Sequence, residues 1–287
     1  MNKKGSFLVG FCDRFVKVTY NCSQAASLLE FLFSDQLADA NMPVLATYDL
    51  LFVGREPMLS LWREDRHLYL GTSVYDLAYT LMNEVIYQGI QDNNAGLAIH
   101  AAGVSIDGQG VLLPGKSGSG KSTLATWLVA RKCTYLSDEL VVVSAHDDHL
   151  MIPFTRPISL KQGSVEALAE ILPKNGSSFL RGANGLMLAH RQINRKFSYT
   201  TPPLRAIVFP KYQKNTVAQI TRMSGAMACA KLMESYVNAR NIDGHGMAEL
   251  ARICRSIPSY RLTYGQLNSL PNLLAENLPV RFPWATD

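Results

Sequence analysis

The spacing of apolar and polar positions divides the chain into two stretches of different character. Residues 6–12 and 15–20 read as short strands and predict a hairpin. The period then changes. Ser23–Phe33 is helical, with Ala26, Leu29 and Phe33 on one face. Val44–Val53, Leu59–Trp62 and His67–Leu70 are further short strands, separated by turn-forming residues at 54–57 and 63–66. Ser73 is placed to cap a helix from Val74 to about Gln91. The polar run Gln91–Gly96 breaks that helix and marks a domain boundary.

Beyond it the strands become more continuously apolar. Leu97–Ile106 reads as one strand and Gly110–Pro114 as the next, joined by turn chemistry at Asp107–Gly110. If Gly108 and Gln109 form the two-residue turn, Asp107 faces Gly110 and His100 falls opposite Ser117. Ser122–Arg131 is a helix with Leu124, Trp127 and Leu128 on one face. Cys133–Ser137 and Leu140–Ser144 are strands, and residues 146–149 a turn. No repeat or low-complexity segment interrupts this order.

Composition adds limits. At 287 residues the chain has room for one large or two modest domains, and 47% hydrophobic with 18% charged residues fits a soluble globular protein. No apolar run is long enough to span a bilayer, and Phe7–Cys12 is too short for a signal-peptide core. The five cysteines are scattered without a Cys-x-x-Cys pair, which argues against a zinc site and a disulfide framework and for a cytoplasmic chain with reduced thiols. The net charge of +5 is unevenly spread. Residues 1–95 hold 7 basic and 11 acidic side chains, and residues 96–287 hold 21 and 12. Ile171–Met233 contains no acidic residue and ten basic ones: Lys174, Arg181, Arg191, Arg195, Lys196, Arg205, Lys211, Lys214, Arg222 and Lys231. Such a stretch is expected to face an anion or to be a solvated face without a partner. Nucleic acid is disfavoured, because basic and aromatic residues do not interleave as a stacking platform needs.

The chemistry concentrates at Gly115–Ser122, which fits Gly-x-x-x-x-Gly-Lys-Ser/Thr between a predicted strand and a predicted helix. Gly115, Lys116, Ser117, Gly118, Ser119 and Gly120 would wrap an anion with backbone N–H groups, and Thr123 follows in the same turn. The helix start adds its positive end. Lys121 would reach the β- and γ-phosphates of ATP, and the Ser122 hydroxyl would ligate Mg²⁺. Asp138 and Glu139 follow the next strand, only 17 residues beyond Lys121. In a β-α-β unit that strand ends at the same pocket, which brings the two carboxylates to the Mg²⁺ and the attacking hydroxyl. Arg156, Lys161 and Arg205 are candidates for substrate or transition-state contacts. A structural salt bridge is the favoured reading of Arg156.

These segments together resemble the HPr kinase/phosphorylase superfamily, in its HPr-kinase-related branch, whose core is related to PEP carboxykinase. The residues that carry the resemblance are His100–Val104, Gly115–Thr123, Tyr135–Val141, Pro153–Lys161 and Ala206–Tyr212, in that order. The similarity spans roughly residues 95–270 and does not include the first 95. It implies an α/β fold: a P-loop-containing, PEP carboxykinase-like catalytic domain over residues 96–287, preceded by a small N-terminal α+β domain over 1–95. It also implies transfer of the γ-phosphoryl group of ATP to a seryl hydroxyl. On that pattern Asp138 is the general base and a metal ligand, Glu139 assists Mg²⁺ where the family has a second Asp, and His100 hydrogen-bonds the catalytic acid. The segment that HPr kinase uses for dephosphorylation has no convincing counterpart. Family members form hexamers, but no residue here names an oligomer interface.

The expected activity is therefore an ATP-dependent kinase acting on a hydroxyl of a peptide, protein or small molecule, with an anionic acceptor favoured by the basic stretch. The alternative is an ATP-binding regulatory or assembly ATPase without a dedicated acceptor. The adjacent Asp138 and Glu139 favour transfer, since a switch needs no carboxylate aimed at an acceptor. An ABC-type transport ATPase is disfavoured by the lack of a Leu-Ser-Gly-Gly-like signature.

Overall fold

A computed structural model describes residues 4–38, 42–54, 58–93, 95–145, 148–174, 179–183 and 185–285. The predicted turns at 54–57 and 146–149 therefore lie partly outside the described residues. The fold is mixed α/β with several sheets.

The N-terminal part follows the local sequence signals closely. Strands β1 (Gly5–Phe11) and β2 (Arg14–Tyr20) form the hairpin, turning at Cys12 and Asp13 with φ of 51° and 57°. Helix α1 (Ser23–Phe33) leads to β3 (Val44–Val53), which lies parallel to β2. Strands β4 (Met58–Arg63) and β5 (Arg66–Gly71) complete an antiparallel meander and a five-stranded sheet in the order β1-β2-β3-β4-β5. Helix α2 (Val74–Ile90) is capped by Ser73, whose side chain accepts a hydrogen bond from the Asp76 N–H at 3.1 Å. The helices cover one face of the sheet, where Val18, Leu29, Phe33, Tyr48, Leu50 and Leu81 are buried. This core does not stop at the predicted boundary, because Ala98, Leu140, Val142, Phe154 and Met187 pack into it.

The stretch expected to form one strand, Leu97–Ile106, is divided. Strand β6 (Gly96–Ile99) pairs with β10 (Val141–Ser144) in a three-stranded sheet. Strand β7 (Ala101–Ile106) pairs with β8 (Gln109–Pro114) and with β9 (Thr134–Ser137) in a six-stranded sheet. Both partners change sheet together: His100 is the break in one chain, and Asp138–Leu140 the break in the other. The pairing is bridged across the corner by the Ala101 N–H donating to the Glu139 carbonyl at 3.1 Å.

The β7–β8 register corrects the sequence arithmetic. The turn residues are Asp107 and Gly108, both left-handed with φ of 49° and 73°, so Ile106 faces Gln109 and Ala101 faces Pro114. Continued one step, this register sets His100 against Gly115, not Ser117.

Helix α3 (Lys121–Ala130) follows β8, and its Leu124–Val129 segment is buried all round. It lies between the six-stranded sheet, strand β12 (Ile158–Lys161) and helix α4 (Gln162–Ala167). The one-faced pattern read from sequence is therefore too narrow. Strand β11 (Met151–Pro153) pairs with β10, and β12 pairs with β14 (Gly185–Leu188), next to β13 (Phe179–Gly182). Strand β15 (Leu204–Tyr212) is parallel to β8, and β17 (Ser259–Tyr264) is parallel to β15. Strand β16 (Gln219–Met223) closes the edge, giving the order β16-β17-β15-β8-β7-β9. Helices α5 (Gly225–Met233) and α6 (Met247–Ser256) bury Leu232, Leu250 and Ile253 against one face of this sheet. Helix α7 (Leu270–Asn277) joins α3 in the cluster that includes Val208 and Leu262. Strand β9 is thus not beside β8, as a simple β-α-β unit suggests. Strand β7 lies between them.

Candidate functional site

Because β8, β15 and β17 are parallel, their carboxyl ends, Pro114, Tyr212 and Tyr264, reach one edge of the sheet. Strand β9, antiparallel to β7, runs the same way as β8 and ends at Ser137 on that edge. Ligand sites of open α/β sheets lie at such edges. Here the edge carries the loop Gly115–Gly120, His100, Asp138 and Glu139.

The loop turns on left-handed glycines, Gly118 with φ of 86° and Gly120 with φ of 96°. A side chain at Gly120 would collide with the Tyr264 hydroxyl, which donates to the Gly120 carbonyl at 3.1 Å. The Ser119 N–H bonds the Lys116 carbonyl at 3.1 Å, and the Tyr212 N–H bonds the Ser119 carbonyl at 2.9 Å. The first intrahelical bond of α3 comes from the Leu124 N–H to the Gly120 carbonyl, so the amides of Lys121, Ser122 and Thr123 stand before the helix ladder. The Thr123 hydroxyl meets Ser164 at 2.7 Å, tying α3 to α4.

Lys121 is 7% exposed, and its ammonium is turned back on the loop. Nζ donates to the Gly115 carbonyl at 2.5 Å and, more weakly, to the Lys116 carbonyl at 3.4 Å. It lies 3.4 Å from His100 Nε2. Burial lowers its pKa, and the nearby Glu139 and Asp138 offset part of that. The remaining cations at the loop are exposed. Lys161 Nζ reaches Ser117 Oγ at 2.7 Å, and Lys116 pairs with Glu234 at 3.2 Å.

The two carboxylates differ in surroundings. Asp138 accepts from the Tyr135 hydroxyl at 3.1 Å, Arg156 Nε at 3.2 Å and the Ser159 N–H at 2.8 Å, and its side chain is 1% exposed. Arg156 is equally buried, and its carboxylate neighbours hold it charged against the cost of burial. The favoured salt-bridge reading of Arg156 thus agrees with the geometry. Glu139 is 34% exposed. It joins His100 Nδ1 at 3.1 Å through one oxygen and Arg156 at 3.0 Å through the other. Burial pushes its carboxyl up, but the hydrogen bond from His100 and the charges of Arg156, His100 and Lys121 outweigh that and hold it at about 2. In the neutral tautomer with Nδ1 donating to Glu139, Nε2 of His100 would accept from Lys121. His100 therefore meets Glu139, the neighbour of the carboxylate expected from sequence.

The acid-free stretch is distributed over β13, β14, β15, β16 and α5. Arg191 is bound to Asp35 and Lys231 lies 4.0 Å from Glu234, whereas Lys211 and Lys214 are exposed beside Tyr212. Arg156 is only half legible in the sequence, and no motif marks Tyr212 and Tyr264 as site residues. Their signal was positional: each tyrosine is the last residue of a parallel strand. A separate cavity of about 520 Å³, lined by Leu28, Phe31 and Phe179, lies between α1 and β13 away from this edge. Among the described residues, no three or more His, Cys, Asp or Glu side chains form a group able to hold a metal, and no helix is long and apolar enough to cross a membrane.

No family model matches the chain, and no curated protein matches it. Among solved structures it is similar to the Hpr(Ser) kinase/phosphatase from Coxiella burnetii, at 12% identity over 62% of this chain and 86% of that one, with a TM-score of 0.31. At that TM-score the likeness carries no argument about activity.

Proposed function

We propose that the chain is an ATP-dependent phosphotransferase acting on a hydroxyl acceptor. The observation that carries this reading is the buried Lys121 ammonium, turned onto the loop carbonyls of Gly115 and Lys116 within hydrogen-bonding reach of His100, which in turn pairs with Glu139. A cationic pocket rimmed by unused helix-start amides fits a polyphosphate. Phosphates would take over the Lys121 ammonium from the two carbonyls. Mg²⁺ would arrive with the nucleotide, the Ser122 hydroxyl and Glu139 would be the protein oxygens that hold it, and it would supply charge neutralisation to the phosphates.

Both carboxylates have both oxygens engaged, but Asp138, 1% exposed and held by three donors, serves best as the anchor of Arg156. Glu139 is the carboxylate open to the pocket, and we assign it the acceptor hydroxyl. His100 fixes its rotamer. A carboxylate held near a pKa of 2 is a weak base. That suits a transfer whose transition state needs the hydroxyl oriented before its proton leaves. The proton then moves to a Glu139 oxygen.

The test is turnover of γ-labelled ATP with and without a pool of seryl peptides. Glu139→Gln is expected to lower transfer by about 10²- to 10⁴-fold while ATP affinity stays within several-fold. Wild-type transfer by that variant would remove Glu139 from the chemistry. ATP bound tightly with no transfer to any hydroxyl would instead support the regulatory or assembly ATPase.

A further inference from the structure

We propose that Tyr212 is the platform for the nucleotide's base, stacked by its exposed ring. This rests on the phosphate-site reading above and extends it to the other end of the ligand.

The order of strands at the sheet edge sets the direction in which a bound nucleotide would lie. From one side to the other the order is β17, β15, β8, β7, β9, and the corresponding residues are Tyr264, Tyr212, the loop after Pro114, Ala101 next to His100, and Ser137 next to Asp138 and Glu139. The carboxylates and His100 therefore lie on one side of the phosphate loop and the tyrosines on the other. If the γ-phosphate points to Glu139, the rest of the nucleotide leaves towards β15. Strands are about 4.8 Å apart, so Tyr212 is about three spacings, roughly 14 Å, from the strand that leads to Glu139.

Tyr212 is suited to receive a base there. It is 47% exposed, whereas Tyr264 beside it is 1% exposed. The buried ring holds the exposed one: the centroids are 5.8 Å apart in an edge-to-face arrangement at 67°. The Tyr212 backbone is fixed by its N–H bond to the Ser119 carbonyl, and its Cβ lies 3.2 Å from the point a Gly120 side chain would occupy. One rigid aromatic ring thus stands beside the first turn of α3 with solvent over it. The following turn adds Lys214 and the 79%-exposed Val217. Aromatic stacking tolerates any base, because every base offers a π-face. The platform should therefore treat ATP and GTP alike.

The experiment compares ATP with inorganic tripolyphosphate by calorimetry, both with Mg²⁺, on the wild type, Tyr212→Ala, Tyr212→Phe and Lys121→Ala. Stacking worth about 1–3 kcal/mol per base corresponds to a loss of roughly 5- to 150-fold in ATP affinity for Tyr212→Ala. Tripolyphosphate affinity should be unchanged, Tyr212→Phe should bind ATP like wild type, and GTP should lose the same factor as ATP. Lys121→Ala should weaken both ligands. Equal ATP affinity in Tyr212→Ala and wild type, with Lys121→Ala still weakened, would overturn the platform and leave the phosphate site standing. Equal losses of ATP and tripolyphosphate in Tyr212→Ala would overturn it too, by making Tyr212 a support of the loop. A wild type that binds neither ligand would overturn both.

Discussion

Among the described residues around the N-terminal sheet the buried polar side chains are the amides Gln36, Gln88 and Asn93 and one carboxylate, Asp35, which is closed by His190 and Arg191, whereas at the carboxyl edge of the six-stranded sheet three charges, Lys121, Asp138 and Arg156, are buried together. The first core is an ordinary apolar layer of Val18, Leu29, Tyr48 and Leu50 beneath α1 and α2. The second holds ions out of water, which costs several kcal/mol per ion unless each is paired and hydrogen-bonded. Asp138 and Arg156 meet most of that condition through each other, Tyr135, Ser159 and Glu139, with only Arg156 Nη1 left without a hydrogen-bond partner among the described residues. Lys121 meets it by bending onto its own loop and towards His100. On the proposed function, the difference separates charge that maintains the fold from charge held for a ligand.

The largest effect should come from Arg156→Ala, which leaves the Asp138 carboxylate buried without its cation. About 3–5 kcal/mol of stability should be lost, measured by urea unfolding. A loss below 1 kcal/mol would mean that water reaches Asp138. Leu29→Ala, in the other core, should cost about 3 kcal/mol through a cavity. Its ATP affinity under folded conditions should match wild type, and a large change would show that the two cores are not separable.

A pH titration sharpens the contrast between the carboxylates. Glu139 is held at about 2 from an ordinary 4.5, so its stabilising contribution is complete above about 4.5 and is lost as pH falls towards 2. Glu139→Gln should flatten that part of the stability curve. An unchanged acid limb would contradict the pairing with His100 and Arg156. The smallest effect belongs to a helix cap: Ser73→Ala should cost about 1 kcal/mol, read by thermal unfolding, and leave the site untouched.

The same contrast explains what could be read from sequence. The β1–β2 hairpin, α1, β3 and the Ser73 cap were legible because period, turn residues and caps act within a few positions of each other. The glycine-rich loop was legible as a run of residue types. The chain break at His100 was not, because its flanks are apolar and only the pairing with two different sheets shows the corner; the break after Ser137 was legible as two strands, but not that they join different sheets. The β7–β8 register depended on whether Asp107 or Gly108 begins the turn, and Asp107 accepts the left-handed φ. The order of Asp138 and Glu139 by accessibility came from Arg156 and Ser159, which lie 18 and 21 residues beyond Asp138. The basic run Ile171–Met233 does not translate directly into one face, because neighbours in sequence are spread over several strands and sheets.

The proposed function requires Lys121 to be held for a polyphosphate. Calorimetry of Mg²⁺ and ATP binding to wild type and Lys121→Ala tests it most directly. Loss of one charge-assisted contact worth roughly 1.5–3 kcal/mol should weaken ATP by about one to two decades in a variant that remains folded. Equal affinity in a folded Lys121→Ala would contradict the account.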